Sequence, residues 1–243
     1  MNRGKIMNYA LTNGKIINGT KEMQVQTGLC ILVQDGKIVD LVPDSTDLQD
    51  YKIIDLHGHY ILPGLINMHV HLAGSGKPQK KQRDNEKLVN TIMGSSLTRA
   101  VAYKMVSDFA KTELLSGVTT IRTVGGLGNF DTRLRDEIAA GTKTGPRILA
   151  ANQGISVPGG HMAGSVAIAA TSIEDALHHL ETSKEEKVDL IKLMITGGVM
   201  DAKEKGVPGE LKMPPEMVKA VCQKAHADGY LVAAHVESTE GVR

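Results

Sequence analysis

The sequence predicts an α/β fold: a parallel sheet with helices packed outside it. Two observations carry this. Five strand-like runs, Leu65–His71, Val118–Val124, Arg147–Asn152, Asp189–Ile195 and Leu231–Val236, alternate with helical stretches, the order that produces parallel strands with helical crossovers. The apolar content is 41%, with only 3% aromatic. Strands rich in Ile, Val, Leu, Ala and Met suit a sheet buried on both faces. A doubly wound sheet and a (β/α)8 barrel both fit strands spaced by roughly 30 to 55 residues.

The first 60 residues have a different texture. Asn13-Gly14 lies between "YALT" and "KIIN", and Asp35-Gly36 between "LCILVQ" and "KIVDLV"; both read as two-residue hairpin turns. A further short strand, "YKIIDL", leads through His57-Gly58-His59 to the turn at Pro63-Gly64. The expected boundaries are therefore a β-rich module over 1–60 and β/α units over 61–243. Ala102, Val106, Phe109, Ala110 and Leu114 form a helical stripe closed by Gly117. Ile173, Ala176, Leu177 and Leu180 form another, opened by a capping box at Thr171 and Glu174. Pro214-Pro215 opens a third helix, whose stripe Val218, Val221, Cys222, Ala225 makes Cys222 a core thiol. Residues 148–173 carry no charged side chain, but Gly154, Pro158, Gly159, Gly160 and Gly164 interrupt them. They read as a strand followed by a long loop, not a membrane span.

Composition removes several functions. The 243 residues carry 28 basic and 27 acidic side chains, net charge +1. That balance gives no electrostatic case for nucleic acid or an anionic membrane, and the chain has no Trp for base stacking. Two cysteines, Cys30 and Cys222, with no secretory signal ahead of them, point to a reducing cytoplasm.

The chemistry-bearing residues sit at strand ends. His69 and His71 are two apart in a strand, so both side chains leave one face; they are half of a zinc-type site or two polar residues at a strand end. Lys192 lies inside the apolar "VDLIKLMITGG". A buried lysine must be paired, deprotonated or modified; carboxylation by carbon dioxide would make it an anionic bridge between cations, whereas a bond to Asp201 would make it structural. His235 ends "YLVAAHVES", with Glu237 beyond it. His-x-Glu suggests a zinc nucleobase deaminase, but the Cys-x-x-Cys which that chemistry requires is absent.

Taken together, His-x-His on the first strand, Lys at the end of the fourth and His on the fifth, with "LPGLIN" before the pair, resemble the amidohydrolase superfamily. "IKLMITGGVMD" and the "VPGGH" loop look like its prolidase-like and imidazolonepropionase-related branch. The resemblance implies a (β/α)8 TIM-type barrel of which about five strands are present, and it makes residues 1–60 an incomplete N-terminal β-sandwich module. It implies two divalent metal ions, zinc first, with His69 and His71 on the more buried one. Carboxylated Lys192 would bridge both ions, and His235 would hold the second. The implied reaction is hydrolysis of a C–N amide bond in a small molecule, an Xaa-Pro dipeptide or N-acyl amino acid, by a metal-activated hydroxide, with Lys192 and His235 as catalytic residues. A cyclic-amide hydrolase or deaminase on the same scaffold is the alternative.

The family also takes a histidine from strand six and an aspartate from strand eight, both beyond Arg243. A chain of five strands is therefore expected to be part of a longer protein, to be completed as a homo-oligomer, or to be a catalytically incomplete half-barrel that binds metal or assembles. Two open parallel edges would make it prone to association. Three residues are candidates for touching substrate. His161 lies in the loop after strand three, Arg122 near the end of strand two could hold a carboxylate or make a structural ion pair, and Gly197 follows the lysine strand with Gly198. Gly125, Gly126 and Gly128 read as an ordinary loop, since Asp131 stands where a dinucleotide motif needs its third glycine. His178, His179 and His226 read as surface helix residues, His57 and His59 as linker, and "GKPQKKQR" as a solvated loop or lid.

Overall fold

The computed structural model describes residues 8–76, 84–199, 202 and 208–243, and the chain divides between Gly64 and Leu65 into two units. In the first, β1 (Tyr9–Thr12), β2 (Lys15–Ile17), β3 (Val25–Gln26), β4 (Leu29–Gln34), β5 (Lys37–Pro43), β6 (Lys52–Asp55) and β7 (Tyr60–Ile61) form two sheets, ordered β5-β4-β1-β6 and β3-β2-β7. The Asp35-Gly36 hairpin forms as expected. Gln34 pairs with Lys37, and both turn residues are left-handed, φ 52° and 73°, as a type I′ turn demands. The hairpin at Asn13-Gly14 does not form. β1 pairs with β4 and β6, while β2 pairs with β3 and β7. Asn13 is left-handed but Gly14 is not, so the chain passes from one sheet into the other. Gly14 is needed there for space: a Cβ would lie 2.5 Å from Leu56 Cδ1. Ala10, Ile16, Cys30, Ile31 and Leu32 are the buried apolar residues of this unit among those described.

The second unit contains β8 (Leu65–Val70), α1 (Asn85–Met93), α2 (Ser96–Leu115), β9 (Val118–Thr123), α3 (Phe130–Ala139), β10 (Arg147–Ala150), β11 (Gly154–Ser156), β12 (Ala167–Ala169), α4 (Ile173–Glu185), β13 (Ile191–Met194), α5 (Pro215–Ala227), β14 (Val232–His235) and α6 (Thr239–Val242). All strand pairs here are parallel. β8, β9 and β10 run side by side, and β12, β11, β13 and β14 form the other sheet. The two sheets are stitched together at Asp189. Its N–H donates to Ala150 O at 2.7 Å, and its Oδ2 accepts from Ala150 N at 2.8 Å. The result is one arc in the order β8, β9, β10 with β11, β13, β14.

The third strand of the arc is thus broken in two. Asn152 sits at the break in the left-handed region, φ 54°, and a strand cannot continue through such a residue. The expected long loop after residue 152 is corrected accordingly: it contains β11 and β12, paired Gly154↔Ala167 to Ser156↔Ala169. The cap of α4 also moves by one residue. Ser172 is the N-cap and accepts from Asp175 N, while Asp175 accepts from Thr171 N.

Two apolar layers hold the arc to its helices. Val106, Ile121, Leu134 and Ile148 centre the first, and Leu180, Leu193, Met217 and Val221 the second. Cys222 is half-buried against the second layer, so the expected core thiol lies at its margin. The edges are different. Among the described residues β8 pairs only with β9 and β14 only with β13. On β8, Leu65, Ile66 and Met68 are 52%, 63% and 47% exposed. No helix among the described residues is long and apolar enough to cross a membrane.

Candidate metal centre

His69 lies near the end of β8 and His71 just beyond it. Their Nε2 atoms converge to 3.1 Å, with ring centroids 5.1 Å apart. That spacing lets both nitrogens reach one cation at about 2.0–2.1 Å. His71 Nδ1 lies 3.1 Å from Gly125 O. A carbonyl only accepts, so a neutral His71 ring carries its proton on Nδ1 and keeps the Nε2 lone pair free. Gly125 is required at this contact: its φ is 137°, and a Cβ would lie 3.2 Å from the His71 ring. Both histidines remain exposed as residues, yet partial enclosure of their rings pulls each imidazole below its usual range. Hydrogen bonding to Gly125 opposes this for His71, and the charge of Lys192 adds to it for both.

Lys192 does not end its strand. It is the second residue of β13, paired with Ala233, while Met194 pairs with His235. Residues two apart share a face, so Lys192 and His235 project to the same side, with the lysine one layer deeper. Lys192 is 2% exposed, and burial, reinforced by Arg122, lowers its ammonium to about 8. Gly154 makes room beside it, since a Cβ there would approach Lys192 Cγ at 3.1 Å. Among the described residues no ion pair neutralises it; Asp201, the expected structural partner, lies outside them.

His235 Nε2 is buried, with no hydrogen-bond partner among the described residues, 3.6 Å from Glu237 Oε1, and the ring bonds the backbone of Gly197. Burial first, then the neighbouring His161, lowers its imidazole. His161 stacks on His235 at 4.0 Å and 11°. Gly198 leaves the space for this stack: a Cβ there would fall 2.6 Å from the His161 ring. Gly197 thus orients His235, a role the sequence did not suggest. Arg122 Nε donates to Met68 O at 2.8 Å, tying β9 to β8; the expected structural ion pair is not formed among the described residues.

The charges of Lys192, His71, Arg122 and His235 all act on His69, which brings the four sequence-picked side chains into one electrostatic neighbourhood. Their donors nevertheless form two groups. Among the described residues no set of three or more His, Cys, Asp or Glu side chains is close enough to hold a metal by itself. The donor chemistry of the His pair and of His235 suits divalent metal ions. His178 and His226 are exposed, and His179 lies 3.4 Å from Asp175. His57 and His59 are exposed, and Cys30 is buried. "GKPQKKQR" lies, beyond Gly76, outside the described residues.

Sequence reasoning passed over two buried polar residues beside this centre. Asp131 packs beneath Gly126, where a Cβ would lie 2.5 Å from Asp131 Oδ2. Burial pushes its carboxyl up to about 6, with the Thr123 hydroxyl pulling the other way. Asn152 holds the start of α3: its Oδ1 accepts from Thr132 N, and its Nδ2 donates to Thr132 Oγ1 and Glu186 Oε2. An acidic residue where a glycine was sought, and an asparagine after a strand, were the only signals available.

The model of the amidohydrolase family matches residues 60–243. A putative prolidase from Bifidobacterium longum is 33% identical over 98% of the chain and 51% of its own, with a TM-score of 0.74. A Xaa-Pro dipeptidase crystallised with methionine in its active site is 27% identical, covering 96% of the chain and 58% of its own, with a TM-score of 0.75. The dihydroorotase of Bacillus cereus (strain B4264) is 32% identical over 143 residues, 52% of this chain and 32% of that protein. The chain therefore spans about a third of that curated relative and just over half of the solved structures. Its fold is the corresponding part of a TIM-type barrel.

Proposed function

The chain belongs to the amidohydrolase family, and on that premise we propose that it carries the metal-holding rim of a hydrolase that cleaves a C–N amide bond in a small molecule, an Xaa-Pro dipeptide or N-acyl amino acid. The observation that carries the reading is the 3.1 Å convergence of the His69 and His71 Nε2 atoms, beside a buried lysine with no counter-ion among the described residues. In this reading His69 and His71 hold one divalent ion, zinc first, and His235 a second. Lys192 joins them once carboxylated. The bound ions would supply Lewis-acid polarisation of a carbonyl and a nucleophilic water at neutral pH.

The residues contribute separable tasks. Gly125 holds the His71 proton on Nδ1, so that the ligand nitrogen faces inward. Burial keeps a fraction of Lys192 as the neutral amine near pH 8, the form able to take up carbon dioxide. His161, stacked on His235, is placed to touch substrate, and Gly197 and Gly198 keep the approach open at the backbone. Arg122 has Nε committed to Met68 O, and in this reading its guanidinium would meet a substrate carboxylate.

The prolidase-type structural matches favour the dipeptide class; the dihydroorotase matches favour a second reading, a cyclic amide. One experiment separates them: turnover of Xaa-Pro dipeptides against cyclic ureides by the zinc-loaded protein, with and without bicarbonate. Dipeptide cleavage that requires bicarbonate, together with native mass spectra showing one carbon dioxide lost in Lys192→Ala, supports the proposal. Turnover of cyclic ureides alone replaces the substrate class. A chain that takes up no metal and is unchanged by Lys192→Ala contradicts the proposal and leaves an assembly role for the arc.

A further inference from the structure

We infer that Asn152 is a positioning residue for His71, acting through the single peptide unit that joins Gly125 to Gly126; the inference rests on the proposed metal role of His71. That peptide is held at both ends. Its carbonyl, Gly125 O, takes the His71 Nδ1 hydrogen bond at 3.1 Å. Its N–H, on Gly126, donates to Asn152 O at 2.9 Å. Asn152 is in turn fixed by its own side chain. Oδ1 accepts from Thr132 N at 3.0 Å, and Nδ2 donates to Thr132 Oγ1 at 3.0 Å and Glu186 Oε2 at 2.7 Å. The side-chain bonds thus fix the position of Asn152, whose backbone carbonyl in turn holds the peptide that meets the imidazole. The bonds at the two ends of that one peptide, to Asn152 O and from His71 Nδ1, polarise each other in a low-dielectric interior.

Two further features make Asn152 specific to this task. It is 1% exposed and left-handed, a conformation Asn tolerates better than most residues. The break it makes in the third strand turns its carbonyl toward Gly126 rather than into the sheet ladder. Gly125 has a φ that excludes side chains and Gly126 has no room for one, so the peptide has no side-chain packing of its own to set its plane. What sets it is the bond to Asn152, with Asp131 closing the space beneath.

The test reads the His71 tautomer by 15N-resolved imidazole NMR in the metal-free chain, and cobalt affinity separately. Asn152→Gly keeps the backbone conformation accessible and removes the side-chain anchor. It is expected to convert the fixed Nδ1–H form into a tautomer mixture and to weaken cobalt binding by about 10- to 100-fold, the range for lost outer-shell partners. Glu186→Ala, at a half-buried position, leaves the core packing in place and is expected to move both readouts in the same direction by less. Leu180→Ala, fully buried in the other apolar layer, controls for lost stability and should move neither. Unchanged His71 resonances in both Asn152→Gly and Glu186→Ala, alongside a lower urea midpoint, would make Asn152 merely structural and overturn the inference. A wild-type chain with a fixed Nδ1–H tautomer but no cobalt uptake sinks the metal reading of His71 and leaves the positioning intact.

Discussion

The two halves of the candidate centre are held by different means. Lys192 and His235 stand on adjacent strands, β13 and β14, and every residue of β13 is buried. His69 and His71 stand on and just past β8, which among the described residues pairs only with β9 and whose Leu65, Ile66 and Met68 are 52%, 63% and 47% exposed. Lys192 is fixed by the core, whereas His235 stands on β14, the outer strand of its sheet among the described residues, and is only half-buried. His71 lies between Val70 and Leu72, both buried in the first apolar layer, but the two histidines are themselves exposed and are aimed by local bonds: the Gly125 carbonyl, the Arg122 hold on Met68, and the Asn67 side chain that accepts from His69 N at 3.2 Å. Global stability and site geometry should therefore respond to different residues.

The largest effect expected from breaking this contrast is at Leu193, fully buried beside Lys192. Leu193→Ala should cost about 2–5 kcal/mol in urea unfolding while leaving the His69–His71 pair intact by NMR. Next comes Asp131→Asn. The folded-state carboxyl holds its proton up to about pH 6, above the ordinary 3.8, so the folded chain binds this proton more tightly than the unfolded one. Stability from this group is greatest below about pH 4 and falls as pH rises toward 6. Above that, burying the carboxylate costs on the order of 3 kcal/mol. Asp131→Asn should stabilise the chain by up to about that amount at pH 7–8 and not at pH 4; stabilisation that does not vary with pH would show that the gain is packing, not ionisation. The smallest effect is at Ile66, 63% exposed: Ile66→Ala should change stability by less than about 0.5 kcal/mol. A loss near that of Leu193→Ala would mean that β8 is covered in solution, and sedimentation would identify the cover as a second copy.

The sequence carried the periodic parts of this chain. Alternation and stripes located all five strands of the arc, and the apolar faces of α2, α4 and α5, to within a residue or two, because burial imposes those patterns directly. Asp35-Gly36 was legible because both turn residues had to be left-handed. Asn13-Gly14 looked the same, but which sheet each flanking strand joins is decided by Leu56 and Asp55, more than forty residues away. The break at Asn152 was hidden because one left-handed asparagine in an apolar stretch has no periodic signature. Of the candidate centre, His69, His71, Lys192 and His235 could be picked out as polar residues where apolar ones belong. The features that aim them, the Gly125–Gly126 peptide, the Gly154 clearance and the His161 stack, are contacts between distant residues and leave no local pattern.

The central claim is that the His69 and His71 nitrogens share one cation. Anomalous diffraction at the zinc edge from the zinc-loaded protein tests it most directly. The expected result is a peak about 2.0–2.1 Å from both Nε2 atoms, with the His71–Gly125 bond retained. Bound zinc elsewhere on the chain, with the two rings still in direct contact at 3.1 Å, would contradict it.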